Sequence, residues 1–338
     1  MTVLVTGGAG DIGSHTVRMM RDRDIDVVVL DSLEYGHRAA LLGAELVVGD
    51  IHDGALVTQL IRDRGITQVV HFAAYKSVGE SMEQPERYWR NNVSGTVELV
   101  EAMLAGGARD IVFSSSCSVN GTPASVPVDE TAPVAPESIY AETKAMVERI
   151  LRWYGVTKGI RSANLRYFNA AGASTDGVIG EDWARSLNLV PLVMKAMLGK
   201  RPPVEVFGTD YPTADGTCIR DYIHVDDLAD AHIRALAHLA AAPEPPTGAA
   251  VAETFNLGTG IGSSVFDVIH AAERISGTTV PYVVSPRRPG DAVATYADPR
   301  RAAEVLGWRA TRSLDEIIES AWRWHSTHLD GFTDATTN

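Results

Sequence analysis

The sequence predicts an α/β fold, a doubly wound parallel sheet with a smaller α/β unit toward the C-terminus. Three observations point to it. Short β-branched runs alternate with helical periodicity through the first half of the chain, as in successive βαβ units. A turn with a Gly-x-x-Gly-x-x-Gly pattern joins the first of these runs to the first helical stretch. Beyond Phe168 the regular alternation stops, and loops, short strands and helices are mixed.

The strands of the first part are "TVLVT" (2–6), "DVVVL" (26–30), "ELVV" (45–48), "QVVHF" (68–72), "DIVFS" (110–114) and "RSANLRY" (161–167), with helices between most of them. Residues 81–105 are long for a single helix, and the pair Gly106 and Gly107 stops it. The second part is expected to hold a helix at 189–198, a strand "VEVF" (204–207), and a strand followed by a helix in "CIRDYIHVDDLADAHIRALAHLAA", with Asp226 as N-cap. "APEPPTGAAVAE" (242–253) has the proline and small residues of a surface loop. Then come "TFNLG" (254–258), a helix from about Ser264, a strand near "PYVV", the basic "SPRRPGD", two helices ending near His328, and "DGFTDATTN" as a frayed tail. The expected division is a first domain over 1–168 to which 221–258 returns, a second over 169–330, and a tail at 331–338.

Thirty basic against 43 acidic side chains give a formal charge of −13, which repels nucleic acid and an anionic membrane surface. The first residues run directly into a strand and a glycine turn, and no apolar run reaches membrane-spanning length. Cys117 and Cys218 stand outside any CxxC or Cys/His cluster, and the ten histidines form no HExxH pattern. A cytoplasmic protein is expected, without a metal, a nucleic-acid partner or a membrane.

"VLVTGGAGDIGSHTV" places Gly7, Gly10 and Gly13 between strand and helix, with Asp11 and Ile12 inside the turn. Glycine lets the backbone approach a pyrophosphate, and the helix start beyond it offers free N–H groups. Asp31, 18 residues after Gly13 at the end of the second strand, completes a Rossmann dinucleotide fingerprint. Its carboxylate suits both ribose hydroxyls and repels a 2′-phosphate, so NAD is expected rather than NADP. Asp50 and Ile51 end the third strand, as adenine contacts or as ordinary turn residues.

In "SIYAETKAMVERILRWYG", Tyr140 and Lys144 lie one helical turn apart on a stripe with Val147 and Leu151 that should face the protein, while Glu142, Glu148 and Arg149 look outward. A buried ammonium needs a partner. Taken alone, the pattern is met equally by a lysine that lays its stem on apolar surface and extends its head to water.

"GGAGDIG", "HFAAYKSVGES", "NNVSGT", "FSSS" and Tyr140-x-x-x-Lys144, in this order, resemble the extended short-chain dehydrogenase/reductase superfamily. "LRYFNAAGA", "GED", "FGTDYPTADGTCIRDYIHVDDLADAH", "NLGTGIGSSVFDVI" and "RRPGD" narrow the resemblance to the UDP-galactose 4-epimerases, over residues 2 to about 328. Such enzymes interconvert UDP-glucose and UDP-galactose. The resemblance implies Tyr140, Lys144 and Ser116 as catalytic residues, with Tyr140 taking the proton of the sugar 4-hydroxyl directly or through Ser116. A free phenol is a poor base at neutral pH, so positive charge from Lys144 and from the oxidised nicotinamide must favour the phenolate.

It further implies NAD that stays tightly bound and is regenerated each cycle, with Lys76, Asn91 and Tyr167 beside it. Phe168 joins Tyr167 near the nicotinamide, and Asn169 meets the sugar-nucleotide phosphates. Asn188, Leu189, Phe207, Arg220, Arg288 and Asp291 match positions that hold UDP, where an arginine fork pairs with two phosphate oxygens. A homodimer is implied as well.

Departures from the pattern matter too. Asp11 replaces an aromatic residue and brings a carboxylate to the pyrophosphate, which weakens NAD retention. The segment from Asp31 to Asp50 is shorter than usual, and Asn120 stands where tyrosine is common. Thr295 occupies the position at which a bulky residue narrows the sugar pocket, so activity on UDP-N-acetylglucosamine and UDP-N-acetylgalactosamine is expected. Cys117 and Ser118 stand where a dehydratase needs an acidic pair. A UDP-glucuronate 4-epimerase is the alternative, and a nonenzymatic NAD-sensing module a more distant one.

Overall fold

Alternation of side chains along the first strands decides the layering of the molecule. The computed structural model describes residues 2–182, 186–243, 248–288 and 290–332. The chain opens with β1 (Thr2–Thr6), α1 (Asp11–Asp22), β2 (Asp26–Asp31), β3 (Glu45–Val48), α2 (Gly54–Arg64) and β4 (Gln68–His71). A helical run follows, made of α3 (Val78–Glu83), α4 (Pro85–Tyr88), a π-helical turn (Trp89–Ser94) and α5 (Gly95–Gly106). Then come β5 (Asp110–Ser114), α6 (Ile139–Lys158), β6 (Arg161–Tyr167) and β7 (Asn169–Ala171). The remainder comprises α7 (Leu189–Met197), β8 (Val204–Phe207), β9 (Ile219–Arg220), β10 (Tyr222–His224), α8 (Val225–Ala241), β11 (Val251–Leu257) and β12 (Ser263–Ser264). It ends with α9 (Val265–Ser276), β13 (Tyr282–Ser285), β14 (Ala294–Thr295), α10 (Arg300–Val305) and α11 (Leu314–Thr327).

Seven parallel strands form the main sheet in the order β11-β6-β5-β4-β1-β2-β3. Successive residues of a strand point to opposite faces. Val3, Val5, Val27, Val29, Val70 and Val112 therefore pack with α1 and α8, while Leu4, Val28, Leu30, Val69, Ile111 and Phe113 pack with α2, α5 and α6. Helices thus cover both faces, the doubly wound arrangement that the alternation predicts. Because β1 lies between β4 and β2, the connections leaving β1 and β4 diverge, and a crevice opens at their C-terminal ends.

A separate apolar cluster gathers α7, α9 and α11 with β8 and β10, including Val193, Met194, Val206, Val268, Ile269, Ile317 and Ile318. There β13 pairs with β8, and β10 with β7. Ser264 and Ser313 begin α9 and α11 as reciprocal capping boxes with Asp267 and Glu316. Among the described residues, no helix is long and apolar enough to cross a membrane.

Several local expectations are corrected. Pro85 and the π-helical turn divide the 81–105 region into shorter segments, because proline cannot supply a ladder N–H. His224, not Asp226, caps α8: its Nδ1 accepts from the Asp226 N–H at 3.0 Å, and Asp226 lies inside the first turn. The expected loop at 242–253 ends early, since β11 starts at Val251 and pairs with β6 along its whole length, while 244–247 lie outside the described residues. Phe332, expected in the frayed tail, stacks on His37 and packs against Trp324; residues 333–338 are not described. Glu148 is buried rather than outward-facing, because Arg166 of β6 binds it with two nitrogens at 2.9 and 2.6 Å.

Candidate active site

Gly7 leaves β1 with φ +71°, and a Cβ there would lie 2.5 Å from the Ala73 nitrogen, so only glycine lets the turns after β1 and β4 approach this closely. A Cβ on Gly10 would meet only the Gly7 carbonyl, at 3.3 Å. Glycine there keeps the face over the start of α1 open. Gly10 caps that helix without a side-chain hydrogen bond, so the N–H groups of Asp11, Ile12 and Gly13 remain for an anion. These features fit the pyrophosphate of a dinucleotide. Asp31 closes β2, its oxygens accepting from the N–H groups of Ala9 and Leu33 at 2.9 Å each. Both oxygens keep lone pairs for ribose hydroxyls.

Asp50 and Ile51 lie beyond the end of β3 at Val48. The Asp50 side chain is exposed and accepts from the His52 N–H, whereas Ile51 packs into the core beneath Gly95. Ile51 therefore offers a ligand its main chain, not the side chain expected to reach an adenine. Asn91 stands in the π-helical turn, half-buried, beside Asn92. Asn92 is the buried member, bonding both main-chain groups of Tyr75 and the Thr143 hydroxyl, so it fixes the β4 connection to α6.

Tyr140 occupies the first turn of α6, which Ser138 caps by accepting from the Ala141 N–H. Lys144 is buried, and its Nζ donates to the Ser114 carbonyl at 2.6 Å. The ammonium lies 4.8 Å from the centre of the Phe113 ring and 5.8 Å from that of Tyr140. Burial pushes the Lys144 amine down to about 7, against the pull of Glu148. Burial also raises the Tyr140 phenol; Tyr167 adds to this, and a hydrogen bond with Ser116 opposes it. Ser116 follows β5 and is buried, accepting from the N–H and hydroxyl of Ser118. Tyr167, at the end of β6, shares a short hydrogen bond with Ser114. Phenol, ammonium and serine hydroxyl therefore converge at the C-terminal ends of β5 and β6.

Asp11 begins α1, and its Oδ1 is buried without a hydrogen bond. Burial lifts this carboxyl to about 6, Glu181 raises it further, and Lys76 draws it back. Lys76 Nζ lies 3.2 Å from Glu181 Oε1, the same oxygen that accepts from Asn188 Nδ2 at 3.2 Å. Asn188 is the N-cap residue of α7 and Leu189 its first residue. Glu181 belongs to the "GED" motif, whose sequence assigns it no role, and only the fold brings it to Lys76.

Phe168 is buried with Val128 and Ala297, while Asn169 is exposed and donates to the Asp221 carbonyl. Arg220 and Arg288 converge on Asp291, at 3.4 and 3.0 Å, and the Arg288 guanidinium lies 4.9 Å from the centre of the Phe207 ring. Thr295 on β14 is the register partner of Arg220 on β9. Arg220, Arg288 and Asp291 thus form one charged cluster, with the Arg288 guanidinium beside the Phe207 ring. Asp221, fully buried, organises it by accepting from Thr259, Gly260 and Ala297. The "RDY" sequence carried no signal of that role.

The profile of the NAD dependent epimerase/dehydratase family matches residues 3–258. A UDP-glucose 4-epimerase of Lactobacillus helveticus is 43% identical over 336 residues, covering 99% of this chain and 100% of its own. The crystal structure of UDP-glucose 4-epimerase from Brucella ovis in complex with NAD superimposes with a TM-score of 0.91 at 42% identity, covering 95% of this chain and 97% of that one. The Bifidobacterium longum UDP-glucose 4-epimerase, in complex with NAD+ and UDP, gives a TM-score of 0.90 at 38% identity, covering 98% and 100%.

Proposed function

The chain belongs to the NAD-dependent epimerase/dehydratase family, and we propose that within it the protein catalyses the 4-epimerisation of UDP-hexoses, interconverting UDP-glucose and UDP-galactose. The observation that carries this function is the buried Lys144 ammonium, held between the Ser114 carbonyl and the Tyr140 ring beside Ser116. A phenol so placed can exchange a proton with a sugar hydroxyl once positive charge offsets its burial.

Gly7, Gly10, Asp11, Ile12, Gly13, Asp31, Asp50, Ile51, Lys76, Asn91 and Tyr167 would hold NAD, which would accept a hydride from the sugar C4 and give it back to the opposite face of the resulting 4-keto sugar. Tyr140 takes the 4-hydroxyl proton and returns it to the same oxygen, with Ser116 orienting the hydroxyl. Lys144 stabilises the phenolate through its charge. Asn169, Asn188, Leu189, Phe207, Arg220, Arg288 and Asp291 hold UDP, and the anchored nucleotide lets the sugar present either face. Phe168 backs the sugar-facing end of β6, and Thr295 leaves room beside it. The protein divides into an NAD-binding domain over 1–168, completed by 221–258, and a UDP-sugar domain over 169–330. It works in the cytoplasm as a homodimer, which the exposed Trp153 beside Val97 and Ile150 supports by offering an apolar strip on α5 and α6.

Incubation of the purified protein with UDP-glucose, with no NAD added, tests the activity. Appearance of UDP-galactose is expected, and lack of turnover even with NAD supplied would refute it. UDP-glucuronate in a parallel incubation should not be converted. The relatives favour the hexose substrate over this alternative and over a nonenzymatic module.

A further inference from the structure

The order of the sheet places β1 between β4 and β2, so the connections after β4 and β2 flank the glycine turn on its two sides. Lys76 belongs to the first of these connections and His37 to the second. Two adjacent residues from the other half of the molecule grip both. Glu181 Oε1 lies 3.2 Å from Lys76 Nζ, and Asp182 Oδ2 lies 2.7 Å from His37 Nε2. Segment 180–182 therefore spans the mouth of the glycine turn.

Its mounting is rigid at the back. A Cβ on Gly180 would lie 2.5 Å from the Trp324 ring, so the strand-like segment lies flat on that indole. Trp324 Nε1 donates to the Glu181 carbonyl at 3.1 Å, and Phe332 packs between Trp324 and His37. On the other side, the His37 N–H donates to the Ala9 carbonyl at 2.9 Å, inside the glycine turn itself. The same Glu181 oxygen that meets Lys76 also accepts from Asn188. One carboxylate thus joins a lysine on the cofactor side to an asparagine on the UDP side.

We propose that Glu181 and Asp182 form a two-point strap that closes over the bound dinucleotide, and that Glu181 couples its retention to occupancy of the UDP site. The strap rests on the assignment of NAD to the glycine turn. Its chemistry is charge-assisted hydrogen bonding on both sides of the opening, so breaking either point frees an edge of the cofactor. Coupling through a shared residue is reciprocal: UDP should slow NAD release, and NAD should tighten UDP.

The test compares the purified holoprotein with the His37→Ala, Asp182→Asn and Glu181→Gln variants and the His37→Ala/Asp182→Asn double variant. Bound NAD and its release rate after dilution are measured with and without UDP. Release about tenfold faster is expected for each single variant, the loss of one charged contact. The double variant should release no faster than its component single variants, because both remove one link. UDP should slow release from the unaltered protein and have no effect on Glu181→Gln. Release within twofold of the unaltered protein in all variants would overturn the strap. An unchanged response of Glu181→Gln to UDP would overturn the coupling. His37→Ala, a half-exposed position, decides the matter if Glu181→Gln misfolds. Should the unaltered protein neither carry NAD nor epimerise UDP-glucose with NAD supplied, the functional assignment fails; an active protein with unchanged variants sinks the strap alone.

Discussion

Lys144 and Tyr140 face the same buried space, with the ammonium 5.8 Å from the centre of the phenol ring and anchored 2.6 Å from the Ser114 carbonyl. In the proposed mechanism, Lys144 supplies the positive charge that the Tyr140 phenolate needs. Tyr140→Phe keeps the ring and its packing but removes the proton-exchanging oxygen. Turnover should fall by roughly 10²–10⁴-fold, while NAD remains bound. Measurable epimerisation at the original rate would show that Tyr140 is not the base.

The position of Lys144 has a cost that can be read from stability against pH. Burial lowers its amine from the ordinary 10.5 to about 7. Between those values the unfolded chain holds one more proton than the folded one, so stability rises with pH across that window. Below about 7 the ammonium is charged in both states and the burial cost is felt in full. Lys144→Met should therefore melt several degrees above the unaltered ligand-free protein near pH 6.5, with the gap closing toward pH 10.5. Calorimetry at the two pH values checks this, and a gap independent of pH would contradict it.

Asp11 carries the opposite problem. Its folded-state carboxyl is lifted to about 6 by burial and by Glu181, against an ordinary value of 3.8. The folded protein binds the extra proton between these values, so this residue lowers stability progressively as pH rises from about 4 to 6, and fully above that. The same negative charge lies beside the glycine turn proposed to hold the pyrophosphate. Asp11→Asn should retain NAD more tightly than the unaltered protein at pH 8, by about tenfold in dissociation rate, an increment of one pKa unit or so in energy. Below pH 4 the two proteins should behave alike. NAD release rates at both pH values distinguish this from a pH-independent packing effect.

What the residues announced and what they hid follows from how local each signal is. The inward Lys144 was legible because Val147 and Leu151 continue its stripe at helical spacing. Glu148, one turn further along, was misplaced outward because its partners Arg166 and Ser115 come from β6 and the end of β5. The glycine turn and Asp31 could be read directly, since strand, turn and helix are contiguous. Ile51 could not, because whether it faces a ligand or the core depends on α5 packing beside it. Glu181 stood in plain view in "GED", yet its meeting with Lys76 spans 105 residues and two halves of the fold.

Glu148 and Arg166 are both almost wholly buried, with the carboxylate also accepting from the Ser115 hydroxyl at 2.6 Å. Removing one partner leaves an uncompensated charge. Glu148→Ala should lower the unfolding free energy by about 3–5 kcal/mol. The double replacement Glu148→Leu with Arg166→Met should be markedly less damaging, as both charges leave together. Urea unfolding of the two variants measures the difference, and equal losses would mean that packing, not charge, is responsible.

Thr295 makes the last expectation, which concerns substrate choice. It sits on β14 in register with Arg220, so its side chain belongs to the same rim as the guanidinium proposed to hold the phosphates. A threonine there is short, and an acetamido group adds volume at the sugar C2, two carbons from the reacting C4. The unaltered protein should convert UDP-N-acetylglucosamine as well as UDP-glucose. Thr295→Tyr fills the space with a ring, and overpacking typically costs about 1–3 kcal/mol, so the acetamido reaction should fall by about tenfold or more while UDP-glucose is spared. Parallel kcat/KM measurements on the two sugars decide it. Equal losses on both would assign the residue to general packing of the β9 and β14 pair instead of sugar selection.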